Sequence, residues 1–187
     1  MLHRPFSHLK LVAALSAAFP LLALADTPTI ALDSVVVTGS RIEHSSFDLP
    51  AAVDVVDADR ISTGQARVNA SEALAAVPGI TVQNRQNYAQ DLQISSRGFG
   101  ARSAFGVRGI RLIADGIPAS MPDGQGQAAT FNLDRAERIE VMRGPMSSIY
   151  GNHAGGVIQM FTKDGQGTPT VEGGLVAGSF GTRKVDL

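Results

Sequence analysis

The chain has 187 residues, with 16 Lys+Arg, 17 Asp+Glu, four His and no Cys, a length that suits one domain with appendages. A composition 44% hydrophobic and 18% charged argues against wholesale disorder, and a net charge of −1 gives no basic surplus for nucleic acid. The absence of cysteine excludes disulfides, thiolate metal sites and a cysteine nucleophile.

The first ten residues carry Arg4 and Lys10, and the following run Leu11–Leu24 is apolar except for Ser16 and Pro20. It ends in Ala23-Leu24-Ala25, a small-x-small site before Asp26. This is the layout of a secretory signal peptide over residues 1–25. The 14 residues of the run fall short of the ~20 that a spanning helix needs. Processing leaves 162 residues with a net charge of −3 and places the fold outside the cytoplasm.

Residues 26–44 hold a short lead and then Asp33-Ser34-Val35-Val36-Val37-Thr38-Gly39, whose valines and threonine favour extended backbone. The segment has no evident hairpin partner. Two readings stay open: the first strand of the domain, or an exposed peptide able to join another protein's sheet edge.

Residues 45–163 read as a small α+β domain of short elements. Val53 and Val55 share a face of a strand ending near Asp57. Ala70, Ala73, Leu74 and Val77 fall at helical spacing, with Asn69 and Glu72 placed to cap the start and Pro78-Gly79 to stop it. Ile80/Val82, Leu92/Ile94, Ile110–Ala114, Ile139/Val141 and Val157–Thr162 read as strands, with a turn at Asp115-Gly116. Gly144-Pro145 opens a helical turn that Gly151 closes after Tyr150. In residues 164–187, two alternating segments flank Gly178-Ser179-Phe180-Gly181, a pattern shared by outer-membrane barrel strands and by a soluble edge hairpin.

No catalytic constellation emerges. Gly98-Phe99-Gly100 lacks the strand–turn–helix setting of a dinucleotide site, no serine sits in Gly-x-Ser-x-Gly, and His44 and His153 have no carboxylates at metal-ligand spacing. Neither a cofactor nor a metal is expected. Arginine stands out instead: beyond the signal there are 12 Arg and only Lys163 and Lys184. The excess fits codon bias and surface solubility, or pairing with carboxylates in a partly dry interface. Gly-rich loops at residues 98–107 and 121–127 adjoin the densest arginine region, either as plain connections or as a ligand surface.

In several places the residues resemble the TonB-dependent outer-membrane receptors. Asp33–Gly39 is similar to a TonB box. Ala73-Leu74-Ala75-Ala76-Val77-Pro78-Gly79-Ile80, Ser96-Arg97-Gly98-Phe99 and Ile113-Ala114-Asp115-Gly116-Ile117-Pro118 resemble successive plug-domain landmarks. Arg138-Ile139-Glu140-Val141-Met142-Arg143-Gly144-Pro145, continued by Ser147–Gly151 and Gly155–Ile158, is the strongest match. The resemblance implies a plug with a short mixed sheet, seated in a barrel whose first strands are residues 164–187. It implies TonB with ExbB and ExbD as partners of Asp33, Ser34, Val35, Val36, Val37, Thr38 and Gly39. It implies the protein's own barrel as partner of Arg138, Glu140 and Arg143. It also implies an anionic small molecule or metal chelate, such as a ferric siderophore or ferric citrate-like chelate, at Arg97, Arg102, Met121, Pro122, Asp123, Gly124, Gln125, Gly126 and Gln127. The expected location is the outer membrane, with the box facing the periplasm.

Such barrels have about 22 strands, whereas only 24 residues follow Lys163. The expectation is therefore a truncated piece that cannot transport alone. A stand-alone periplasmic ligand-binding module with a plug fold is the alternative.

Overall fold

The computed structural model describes residues 36–37, 44–45, 51–84, 90–104, 106–144, 149–151, 153–165 and 167–187. The signal peptide (1–25), residues 33–35, 38 and 39 of the box, and residues 145–148 of the expected helical turn lie outside them.

In chain order the elements are β1 (Val36–Val37), β2 (His44–Ser45), β3 (Ala52–Asp57), α1 (Ala58–Ser62), α2 (Ala70–Leu74), β4 (Ile80–Gln83) and β5 (Gln93–Ser96). They continue as β6 (Val107–Arg108), β7 (Arg111–Ala114), β8 (Ile117–Pro118) and β9 (Gln125–Gly126). After a 3-10 turn at Ala128–Thr130 come β10 (Ala136–Arg143), β11 (Val157–Thr162), β12 (Gly174–Ala177) and β13 (Arg183–Asp186).

The principal sheet has the order β3-β10-β11-β7-β8. β10 lies antiparallel to both its neighbours, whereas β11 and β7 are parallel, with Val157 opposite Arg111. Successive strand residues point to opposite faces, so each inner strand feeds two apolar clusters. Val141, Leu112 and Ile158 join Ile61, Leu74 and Ile94 on one face. Their neighbours Met142, Ile113 and Val157 pack with Val53 and Tyr150 on the other. Double-sided cover explains why Ile139, Glu140, Val141, Met142 and Arg143 are all buried.

The helices follow from local capping. The Asp57 carboxylate accepts the Arg60 N–H at 2.8 Å, starting α1 so that Ile61 points into the core. Glu72 accepts the backbone N–H groups of Arg67, Val68 and Asn69 at 2.8, 2.9 and 3.0 Å, tying down the approach to α2. Ala70, Ala73, Leu74 and Val77 are buried as the spacing predicts, but the helix ends earlier than expected, at Leu74 with its C-cap at Ala75, so Val77 and Pro78-Gly79 lie beyond it.

Two features depart from the sequence pattern. The valine segment does have an intramolecular partner: β1 pairs antiparallel with β2, Val36 opposite Ser45 and Val37 opposite His44. β6 and β9 are two-residue strands that pair antiparallel, Val107 opposite Gly126 and Arg108 opposite Gln125, clasping the two Gly-rich loops together. At the C-terminal end β12 and β13 form an antiparallel hairpin, Leu175 opposite Val185. Leu175 and Val185 are exposed, while Val176, Lys184 and Asp186 are half-buried. The exposed side carries Leu175, Ala177 and Val185 with Arg183, and the inner side carries Lys184 and Asp186 with Val176, an alternation close to that of barrel strands.

Candidate functional site

The expected ligand residues lie on loops carried by the clasp. Arg97, at φ +49°, and Arg102 are exposed. Neither side chain has a hydrogen-bond or ion-pair partner among the described residues, nor is either joined to the 121–127 loop. Gly100 is required where its loop crosses β5: a Cβ there would stand 2.6 Å from the Arg108 carbonyl and 2.8 Å from that of Ile94. The 121–127 loop is tied to itself by Met121 N–H to Gln125 O at 2.7 Å and Gly124 N–H to Met121 O at 2.9 Å. The Asp123 carboxylate accepts the Gln125 N–H at 3.0 Å. Arg108 donates to Gln125 Oε1 at 3.0 Å and to Asp123 at 3.4 Å, so the loop is held from β6. Gln127 donates to Asp91 at 3.4 Å. Met121, Pro122 and Asp123 are exposed, Gly124, Gln125 and Gln127 half-buried, and Gly126 buried against Leu112.

A cleft of about 390 Å³ opens beside this loop, between Arg108, Arg111, Pro122–Gly124, Tyr150, Gly151 and His153. Sequence reading left His153 and Arg111 out. His153 is buried there, with its imidazole held below the ordinary value of 6.5 by burial first and by the Arg111 charge second.

Arg138, Glu140 and Arg143 do not form one cluster. Arg138 Nε donates to Glu140 Oε1 at 2.9 Å, and the Arg138 guanidinium lies 4.0 Å from the Phe161 ring centroid. Glu140 is 1% exposed. Arg143, on the opposite face of β10, pairs with the Asp54 carboxylate and donates to the Pro78 carbonyl. Glu140 and Arg143 thus direct charge into the domain, while Arg138 keeps partial exposure.

A further charged seam joins the hairpin to the domain, and sequence reading named none of its members as a site. Asp134 accepts Lys184 Nζ at 2.6 Å and meets Arg67 Nε at 3.3 Å; Arg67 also meets Asp186 at 3.3 Å. Lys184 donates as well to the carbonyls of Ala66 and Arg67, at 3.0 and 3.3 Å. Gly174 makes room for the Asp186 carboxylate, whose oxygens would lie 2.7 Å from a Cβ there. The visible signal was the alternation of Lys184 and Asp186 with Val185, which marks a polar face without naming its partner.

Residues 45–157 match the family model described as the TonB-dependent Receptor Plug Domain. The chain is 35% identical over 135 residues to a hemin receptor of Yersinia enterocolitica, covering 71% of this chain and 18% of the relative. It is 32% identical over 163 residues to the iron-regulated outer membrane virulence protein of Vibrio cholerae, covering 86% of this chain and 24% of that one. Among solved structures, a variant of the ferric enterobactin receptor of Pseudomonas aeruginosa superposes with a TM-score of 0.52 at 27% identity, covering 71% of this chain and 19% of the receptor. The chain therefore spans only 18% to 24% of the length of these relatives. With the match running over residues 45–157, through β3, β7, β8 and β10 of the principal sheet and the loops between them, the chain belongs to the family of TonB-dependent receptor plug domains.

Proposed function

We propose that the chain is the plug of an outer-membrane receptor that takes up an iron-bearing nutrient, a ferric siderophore or hemin, with energy from TonB and its ExbB–ExbD complex. The observation that carries this reading is the family match over residues 45–157, beside relatives named as hemin and ferrienterobactin receptors. Ligand meets Arg97, Arg102 and the 121–127 loop; the exposure of both arginines and of Met121, Pro122 and Asp123 supports this reading. TonB pairs with Asp33–Gly39. The ladder it must displace is small, two residues against two in β1 and β2, and such short pairings are marginal alone. The β12–β13 hairpin starts the wall, its exposed valine and leucine facing lipid. On β10, Arg138 turns toward the wall while Glu140 and Arg143 brace it from within.

The test is a receptor hybrid in which residues 26–187 replace the homologous segment of the Pseudomonas aeruginosa ferric enterobactin receptor. The hybrid should support growth on ferric enterobactin as the only iron source. Adding Val36→Pro should leave ligand binding at the cell surface intact and abolish uptake, because proline removes a ladder donor. Uptake unaffected by Val36→Pro would refute TonB coupling through this segment.

A further inference from the structure

We propose that Asp164-Gly165 is a site of spontaneous covalent modification, at which the Asp164 carboxyl closes a succinimide ring on the Gly165 nitrogen and reopens as isoaspartate. The inference concerns the chain's own chemistry and is independent of the uptake reading.

The reaction makes a bond between Gly165 N and Asp164 Cγ. The carboxyl hydroxyl leaves with the amide proton as water, so nothing is oxidised or reduced. Water then adds to one of the two ring carbonyls. Opening at the main-chain carbonyl routes the backbone through the side chain and gives isoaspartate, whereas opening at the side-chain carbonyl restores aspartate. Glycine favours ring closure because it has no Cβ to shield its nitrogen and its backbone turns freely.

The sequence has three Asp-Gly steps, Asp115-Gly116, Asp123-Gly124 and Asp164-Gly165, and the fold treats them differently. Asp115 is tied to β11 at both ends. Its carboxylate accepts the Thr162 N–H at 2.8 Å and the Thr162 hydroxyl at 2.9 Å, and its own N–H donates to the Met160 carbonyl at 2.9 Å. Asp123 accepts the Gln125 N–H at 3.0 Å and meets Arg108 at 3.4 Å. The nitrogen that would attack it is engaged too, since Gly124 N–H donates to the Met121 carbonyl at 2.9 Å.

Asp164 and Gly165 have none of these ties. Both are exposed and lie outside the helices and strands. Among the described residues the Asp164 carboxylate has no hydrogen-bond or ion-pair partner, and the Gly165 N–H has no acceptor. A Cβ on Gly165 would meet nothing within 4 Å, so no neighbouring atom blocks the approach of nitrogen to carboxyl. Local freedom of this kind is what ring closure requires.

The chain is held on either side of the step. Lys163 N–H donates to the Arg135 carbonyl at 2.9 Å, which ties the preceding residue to the start of β10. Beyond the step, the hairpin is held by Lys184 on Asp134 and by Asp186 on Arg67. Isoaspartate adds one methylene to the main chain between these two anchorages and leaves a carboxylate on the α-carbon. The modification therefore lengthens the link between the sheet domain and the hairpin.

The experiment is prolonged incubation of the full chain at pH 6, followed by protease digestion and electron-transfer mass spectrometry, which places isoaspartate within a peptide. Isoaspartate should accumulate at position 164 at least tenfold faster than at 115 or 123, preceded by a species lighter by one water. In guanidinium chloride the three positions should react at similar rates, because the ties at Asp115 and Asp123 are gone. Gly165→Ala, where the new methyl has room, should suppress the product at 164 and leave the urea midpoint unchanged. Equal rates at the three positions in the folded chain, a faster rate at 115 or 123, or undiminished product in Gly165→Ala would each overturn the proposal.

Discussion

Lys184 Nζ lies 2.6 Å from Asp134 Oδ1, 50 residues earlier in the chain, and the same ammonium also donates to the carbonyls of Ala66 and Arg67. One lysine therefore places its donors on a carboxylate and two backbone groups of the domain. Asp134 at the same time meets Arg67, which reaches Asp186 on the hairpin. The hairpin is attached to the domain through this seam, while Leu175 and Val185 face outward.

Lys184→Met keeps the aliphatic stem and removes the three donors. The seam is only 18% to 25% exposed, so its bonds exceed the worth of a surface pair, and the loss should be about 1–2 kcal/mol. Amide exchange should show β12 and β13 losing protection while β10 and β11 keep theirs. Uniform loss across both regions would contradict the seam's role as a local attachment.

Glu140 is the buried carboxylate of the sheet centre, and Arg138 is its donor at 2.9 Å. Glu140→Ala leaves the guanidinium partly desolvated opposite a cavity and should cost about 3 kcal/mol. Glu140→Gln should cost less, because an amide oxygen still accepts from Arg138 Nε. Urea unfolding of the two variants measures the difference, and equal midpoints would show that the charge-assisted bond contributes nothing.

These cases show what could be seen in the sequence and what could not. The α2 helix was legible because Ala70, Ala73, Leu74 and Val77 carry a full helical period, but its end was placed too late: the helix stops at Leu74, ahead of Pro78-Gly79. The strand β10 was legible through Ile139 and Val141, but Glu140 at its centre reads as a solvent face. Only the double-sided cover of the sheet and the nearby Arg138 make it an interior residue. α1 was missed because five residues around one buried Ile61 carry no period, although Asp57 marks its start. The clasp of β6 and β9 is two residues long on each side, too short for alternation to show. Arg67 and Lys184 are 117 residues apart and meet only through the tertiary fold. The expected ligand residues were legible as loops by their glycines, whereas His153 was set aside as isolated because its burial depends on the turn at Gly155-Gly156.

Stability should depend on pH through His153. Burial and Arg111 hold its imidazole below the ordinary 6.5 in the folded chain. Below that ordinary value the unfolded chain binds more protons than the folded one, so stability falls as pH drops. Above it both states are neutral at this residue, and the contribution is constant. Urea midpoints measured downward from pH 7 should decline, and His153→Gln should flatten part of that decline. An identical slope in wild type and variant would place the pH dependence elsewhere.

Gly156 gives the sharpest test of how the cleft is framed. It sits at φ +118°, and a Cβ there would overlap the Met142 carbonyl oxygen. Its carbonyl accepts the Arg111 N–H at 2.9 Å, so any displacement moves the wall that carries Arg111. Gly156→Ala combines backbone strain with a collision against backbone and should destabilise by about 3 kcal/mol or more. Gly64→Ala is the control: φ is +69° and nothing lies within 4 Å of the new Cβ, so strain alone applies and the cost should be about 1 kcal/mol. Chemical unfolding of both variants separates strain from collision. Equal losses would mean that the Met142 carbonyl yields and that the turn is not rigid. Only the larger loss at Gly156 fits a turn held rigidly against the Met142 carbonyl.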